Sequence, residues 1–120
     1  MILCAGLKEG DSMEIKEILK LNIKQINNVP LTNIIEGVYI GDLLSFVMAN
    51  GKEGSLWLTV QKHINVIAVA QLNDFAGILF IQDSYPDEDT IIKATELEIP
   101  LFISEKDAFL VTKDLISLGL

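Results

Sequence analysis

Ser55–Asp83, SLWLTVQKHINVIAVAQLNDFAGILFIQD, decides the fold of this 120-residue chain. Leu56-Trp57-Leu58-Thr59-Val60 is apolar almost throughout, as a central strand covered on both faces must be. Gln61-Lys62-His63 is a polar turn carrying the only histidine. Gly77-Ile78-Leu79-Phe80-Ile81 is a second buried strand. The piece between them reads two ways. Val66, Ile67 and Val69 suit a strand that would return as a hairpin on 56–60. Ala68, Ala70, Gln71 and Leu72 suit a helix, and the closeness of the next strand favours a crossover. We take 64–74 as helix, which makes the stretch one βαβ unit.

Outward from it the alternation continues. Gly37-Val38-Tyr39-Ile40 is a short strand, and Gly41-Asp42 ends it and opens a helix in which Leu43, Leu44, Val47 and Met48 can face a sheet. Gly51 and Gly54 bracket a turn before the central strand. After Asp83-Ser84-Tyr85-Pro86, the acids Asp87, Glu88 and Asp89 favour the start of a helix over 88–97 through its dipole. Pro100–Ile103 is the last strand. Ser104 with Asp107 three residues on resembles a capping box opening a helix over 105–118, with Phe109, Leu110, Leu115 and Ile116 as core candidates. Upstream, Asp11 and Glu14 resemble a second such box before a helix over 13–21 that places Ile15, Ile18 and Leu19 on one face. Residues 22–36 read as a connection with a short edge strand near 23–26. Residues 1–12 read as an extension and 13–120 as one domain, with Met13 the natural start.

Strand and helix alternating at short spacing imply an α/β fold in three layers. A mostly parallel sheet of four to five strands would carry helices on both faces. Composition narrows function. Nine lysines face seventeen acids for a net charge of −8, and arginine is absent. A basic stripe for nucleic acid cannot be assembled, and the planar fork that clamps phosphates is missing. Apolar runs stop short of the ~20 residues of a membrane span. A single cysteine, Cys4, fits a reducing cytoplasm and, without a neighbouring base, reads as inert.

GDLLSFVMANGKEGSLWLTVQKHINVIAVAQL, followed by a strand, an acidic helix, IPLFIS and an amphipathic helix beginning DAF, resembles the DRTGG domain. This small α/β module occurs at the N-terminus of HPr kinase/phosphorylase-like proteins, within some phosphotransacetylases and beside CBS domains. The resemblance covers roughly residues 37–120 and is to the stand-alone members. It implies an HPr kinase N-terminal-domain-like α/β fold, no demonstrated catalytic activity of its own, a regulatory or ligand-sensing role and frequent self-association; no cofactor is expected. The motif that names the family, with its Asp-Arg and paired glycines, is absent. Gln61-Lys62-His63 and Gln82-Asp83-Ser84 follow the two central strands instead. Neither offers the arginine and glycines of a phosphate-cradling loop.

Ligands of open α/β sheets bind beyond the carboxyl ends of the strands. Those ends carry Gly41 and Asp42, then Gln61, His63 and Asn65, then Asp83 and Ser84, and finally Ser104. Together they form the candidate ligand site, with His63 its one histidine. The same residues also suit turns and helix caps, a role that Asp42, Ser104 and His63 fit well. Ser84 or Ser104 with His63 and Asp83 has the composition of a triad but no spacing that orders it. No P-loop, GxGxxG, CxxC or histidine pair is present. Three functions follow. The first is a non-catalytic regulatory module binding a small molecule, a protein partner or both. The second is a small enzyme using His63 as acid or base. The third is a structural subunit of a homodimer or higher homo-oligomer.

Overall fold

The computed structural model describes residues 12–120. The expectations placed on residues 1–11, including the Asp11 cap and the inert Cys4, lie outside the described residues. The chain runs β1 (Met13–Glu14), a 3-10 helix (Ile15–Lys20), β2 (Lys24–Gln25), β3 (Ile34–Ile35) and β4 (Gly37–Ile40). It continues through α1 (Leu44–Asn50), β5 (Ser55–Thr59), α2 (Asn65–Leu72), β6 (Gly77–Phe80), α3 (Glu88–Glu96), β7 (Leu101–Ile103) and α4 (Ala108–Leu118). Residues 65–72 are helical and β5 pairs parallel with β6, so the crossover forms and the hairpin does not.

The main sheet has the order β2-β7-β6-β5-β4, with β2 antiparallel and the other four strands parallel. Neighbouring strands in sequence are neighbours in space. Crossovers of one hand then put α1, α2 and α3 on the same face. The continuous apolar runs of the strands split by alternation into two cores. Trp57, Ile78, Phe80 and Leu101 pack with Val47, Val66, Ile67 and Ala94 of those three helices. Leu56, Leu58, Leu79 and Phe102 pack on the other face with Ile15, Ile18, Ile35 and, from α4, Val111 and Leu115. Helices therefore cover both faces, and the three layers expected from the alternation are present.

The amino-terminal helix differs from its expectation. Met13–Glu14 is a strand paired with Ile34–Ile35, and the Ile15 N–H donates to Asn33 O at 2.9 Å. The turn that follows is 3-10, whose period of three aligns Ile15 with Ile18. Both are fully buried, while Leu19, off that three-residue repeat, is exposed. α4 also starts later than expected. Asp107 is its N-cap, accepting the Leu110 N–H at 2.9 Å, and Ser104 instead accepts the Lys106 N–H at 3.1 Å in the preceding turn. Of its core candidates only Leu115 is buried, with Val111 beside it; Phe109, Leu110 and Ile116 face outward. On α1, Val47 is buried and Leu44 packs on the same core, but Leu43 and Met48 are exposed.

A Cβ at Gly51 would run into the Phe75 ring and the Val47 carbonyl, so a larger residue there would force its neighbours to shift. Phe75 in turn packs against Trp57 and Tyr39, joining the turn to the first core.

Candidate functional site

The parallel strands bring all eight predicted residues to one rim, where they separate into three groups. At the β4–β5 end, the register Ile40↔Leu58 would lead the Val60 N–H to the carbonyl of Gly41. That carbonyl is taken by the Trp57 indole N–H at 2.9 Å. The Asp42 carboxylate replaces it, its Oδ1 accepting the Val60 N–H at 2.9 Å and the Thr59 hydroxyl at 2.8 Å. Gln61 Nε2 donates to the Asp42 carbonyl at 2.7 Å, and the Gln61 N–H to Thr59 Oγ1 at 3.1 Å. Asp42 is thus not the cap of α1, whose N-cap is Leu43 without a side-chain bond. It ties two strand ends together.

The β5–α2 loop is tied on its other side. The Lys62 carbonyl accepts the Thr90 hydroxyl at 2.8 Å and the Asp87 N–H at 3.1 Å, docking the loop on the start of α3. His63 lies at the turn, its carbonyl accepting the Val66 N–H at 3.0 Å. Its ring is exposed and makes no hydrogen bond or ion pair among the described residues. Asn65, the first residue of α2, is exposed too. Neither Ser84 nor Ser104 donates to His63, so the composition of a triad is not accompanied by its hydrogen-bond order.

The β6–β7 end is arranged otherwise. The chain leaving β6 goes to α3 on one face, and the chain leaving β7 goes to α4 on the other. Diverging loops open a crevice between adjacent parallel strands, the feature that places ligands in open α/β sheets. An open groove of about 320 Å³ lies there, lined by Asn22, Lys24, Asp83, Tyr85, Ile103, Ser104 and Glu105. Its floor is fixed by backbone. The Asp83 N–H donates to Ser104 O, Gln82 N–H to Lys106 O and Ser84 N–H to Ile81 O, each at 3.0 Å. Those bonds hold Gln82 and Asp83 both left-handed, at φ 55° and 56°. Two successive non-glycine residues in that region store strain that the cross-loop bonds keep in place.

Asp83, Ser84 and Ser104 therefore meet near the groove, while Gly41, Asp42 and Gln61 form the separate tie and His63 with Asn65 stand apart. Sequence reasoning missed Asn22, Lys24, Tyr85 and Glu105. Lys24 reaches the rim only because β2 pairs antiparallel with β7, opposite Ile103. No local pattern announces that pairing. Among the described residues no cluster of acids, histidines or cysteines could hold a metal, and no helix is long and apolar enough to cross a membrane.

No family model and no curated protein matches the sequence. A solved structure is similar in fold. It is the crystal structure of the CBS and DRTGG domains of the regulatory region of Clostridium perfringens pyrophosphatase, complexed with the activator diadenosine tetraphosphate. The TM-score is 0.66 at 12% identity, over 94% of this chain and 50% of that one. The chain thus spans half the length of its structural neighbour and has a DRTGG-like α/β fold.

Proposed function

We propose that this chain is a divergent DRTGG-family regulatory module, non-catalytic, that holds a small molecule in the β6–β7 groove and self-associates. The observation that carries the reading is the groove at diverging loops. Among the described residues the side chains of Lys24, Asp83, Tyr85 and Glu105 there make no hydrogen bond or ion pair, so their polar groups are available to a ligand. The regulatory setting of the structural neighbour supports it. The neighbour's tetraphosphate activator does not transfer: one lysine beside two carboxylates, in a chain of net charge −8, repels a polyanion. A small zwitterion such as an amino acid fits better, its carboxylate toward Lys24 and its ammonium toward Asp83 and Glu105. A cytoplasmic location goes with this reading.

Thermal-shift measurements with the twenty amino acids, and with AMP and diadenosine tetraphosphate for contrast, test it. At least one amino acid should raise the melting temperature of wild type and not of Lys24→Gln or Asp83→Asn. If no amino acid shifts it, the zwitterion is wrong; if the nucleotides shift it alone, the groove takes phosphates after all. Self-association is supported by outward-facing Ile40, Leu43, Phe46, Phe109 and Ile116 and is read from sedimentation equilibrium.

A further inference from the structure

Among the described residues β4 is an edge strand: it pairs with β5 on one side and with nothing on the other. The opposite edge of the sheet is closed by β2, which carries the exposed Lys24. β4 has none of the usual guards of an open edge, since Gly37–Ile40 contains no charge and no proline. Its peptide groups alternate. With Gly41 N–H donating to Leu58 O, the odd-numbered residues turn toward β5, and the N–H and C=O of Val38 and Ile40 point outward.

Gly37-Val38-Tyr39-Ile40-Gly41 reads almost the same in both directions about Tyr39. An interface with two-fold symmetry needs a surface complementary to itself, and an edge strand achieves that by pairing antiparallel with its own copy. Resting on the self-association reading above, we infer that two copies join through β4 across a two-fold axis at Tyr39, making one continuous ten-stranded sheet. In that register Val38 stands opposite Ile40 of the second copy. The outward peptide groups of these two are the ones that an antiparallel hydrogen-bonded pair exchanges, so four bonds form across the axis. Glycine meets glycine at both ends.

The side chains agree with this register. Val38 packs on the α4 face, and by alternation Ile40, half exposed, points to the same side. Between β4 and α4 runs an apolar groove of about 290 Å³, lined by Val38, Leu115, Ile116 and Leu120. Ile40 of each copy arrives beside Val38 of the other and enters that groove. On the opposite face, Asn50 lines the hollow beside Val38 and Tyr39, which puts Phe46, one turn earlier on α1, along the same edge. Ile40, Leu43, Phe46 and Ile116 are each half to two-thirds exposed. At the areas typical of such side chains they offer roughly 500 Å². With the strand edge itself, that approaches the ~800 Å² per partner of a stable interface. One feature opposes the pairing. Glu36 falls opposite Asp42 of the second copy, a like-charge pair at each end that salt should relieve.

Sedimentation equilibrium of wild type and variants tests the interface. Wild type should be a dimer that tightens with added salt. Ile40→Lys should weaken it by at least about 100-fold, the change being felt twice across the axis. Ile92→Lys, on the exposed side of α3, should leave it within about threefold. Glu36→Lys should tighten it. In a Cys4→Ser background, Tyr39→Cys places two thiols on the axis at a Cα separation of ~4.5 Å, and diamide should link them into a covalent dimer. Val38→Cys alone should not link. A dimer that survives Ile40→Lys and leaves Tyr39→Cys unlinked overturns the β4 interface while self-association stands. Linking at Val38→Cys instead overturns the register. Wild type monomeric at millimolar concentration overturns both.

Discussion

The two halves of the carboxyl rim are built from similar residues and do opposite things. At β4–β5, Asp42 spends its carboxylate on Thr59 and Val60, and Gln61 closes over it. At β6–β7, Asp83 has no such partner among the described residues, and its loop is shaped by backbone bonds alone. The difference comes from where the chain goes next. α1 and α2 follow β4 and β5 onto the same face, so their loops lie side by side and can be stitched. α3 and α4 part to opposite faces, and the gap stays open. An acid at a strand end is therefore tied to its neighbours or, among the described residues, left without a side-chain partner, according to the helix that follows it.

This contrast can be broken by substitution, most severely in the closed half. Asp42→Ala leaves the buried Thr59 hydroxyl and the Val60 N–H without their acceptor, and should cost about 2 kcal/mol. Chemical denaturation reads that directly; Asp42→Asn, which keeps an acceptor oxygen, should recover part of it. Next in size is Asp107→Ala, which removes the cap of α4 and should cost about 1 kcal/mol in the same titration. In the open half the sign reverses. Gln82→Gly relieves a left-handed residue and, after the added chain entropy of the unfolded state, should stabilise by ~0.5 kcal/mol. A lowered melting temperature for Gln82→Gly would remove strain from the account of this loop. Smallest of all is His63→Ala. With its ring exposed and unbonded, stability should change by less than about 0.5 kcal/mol. Amino-acid-induced thermal shifts should persist in that variant, and their loss would bring His63 back into the site.

Much of the fold was legible in the sequence. The runs at 37–40, 56–60, 77–81 and 100–103 are strands because apolar, β-branched and aromatic residues cluster there between turn residues, and each appears in the sheet within a residue or two. The parallel crossover at 65–72 was legible from alanines and spacing. The candidate site was legible only in part, since strand ends can be counted along a chain but their partners cannot. Asp42 and Asp83 look alike in sequence, both acids just past a strand. Only the placement of α1 to α4 on the two faces distinguishes them.

Local periodicity determined which residues are strand and which are helix, because backbone preference and side-chain burial repeat over a few residues. The tertiary structure alone decided the rest. It paired β2 with β7, turned the segment at 13–20 into a strand and a 3-10 turn, and, among the described residues, left β4 unpaired at the edge of the sheet. Those outcomes depend on contacts between distant residues, whose registers are chosen by competition for two shared cores and leave no trace in any short window.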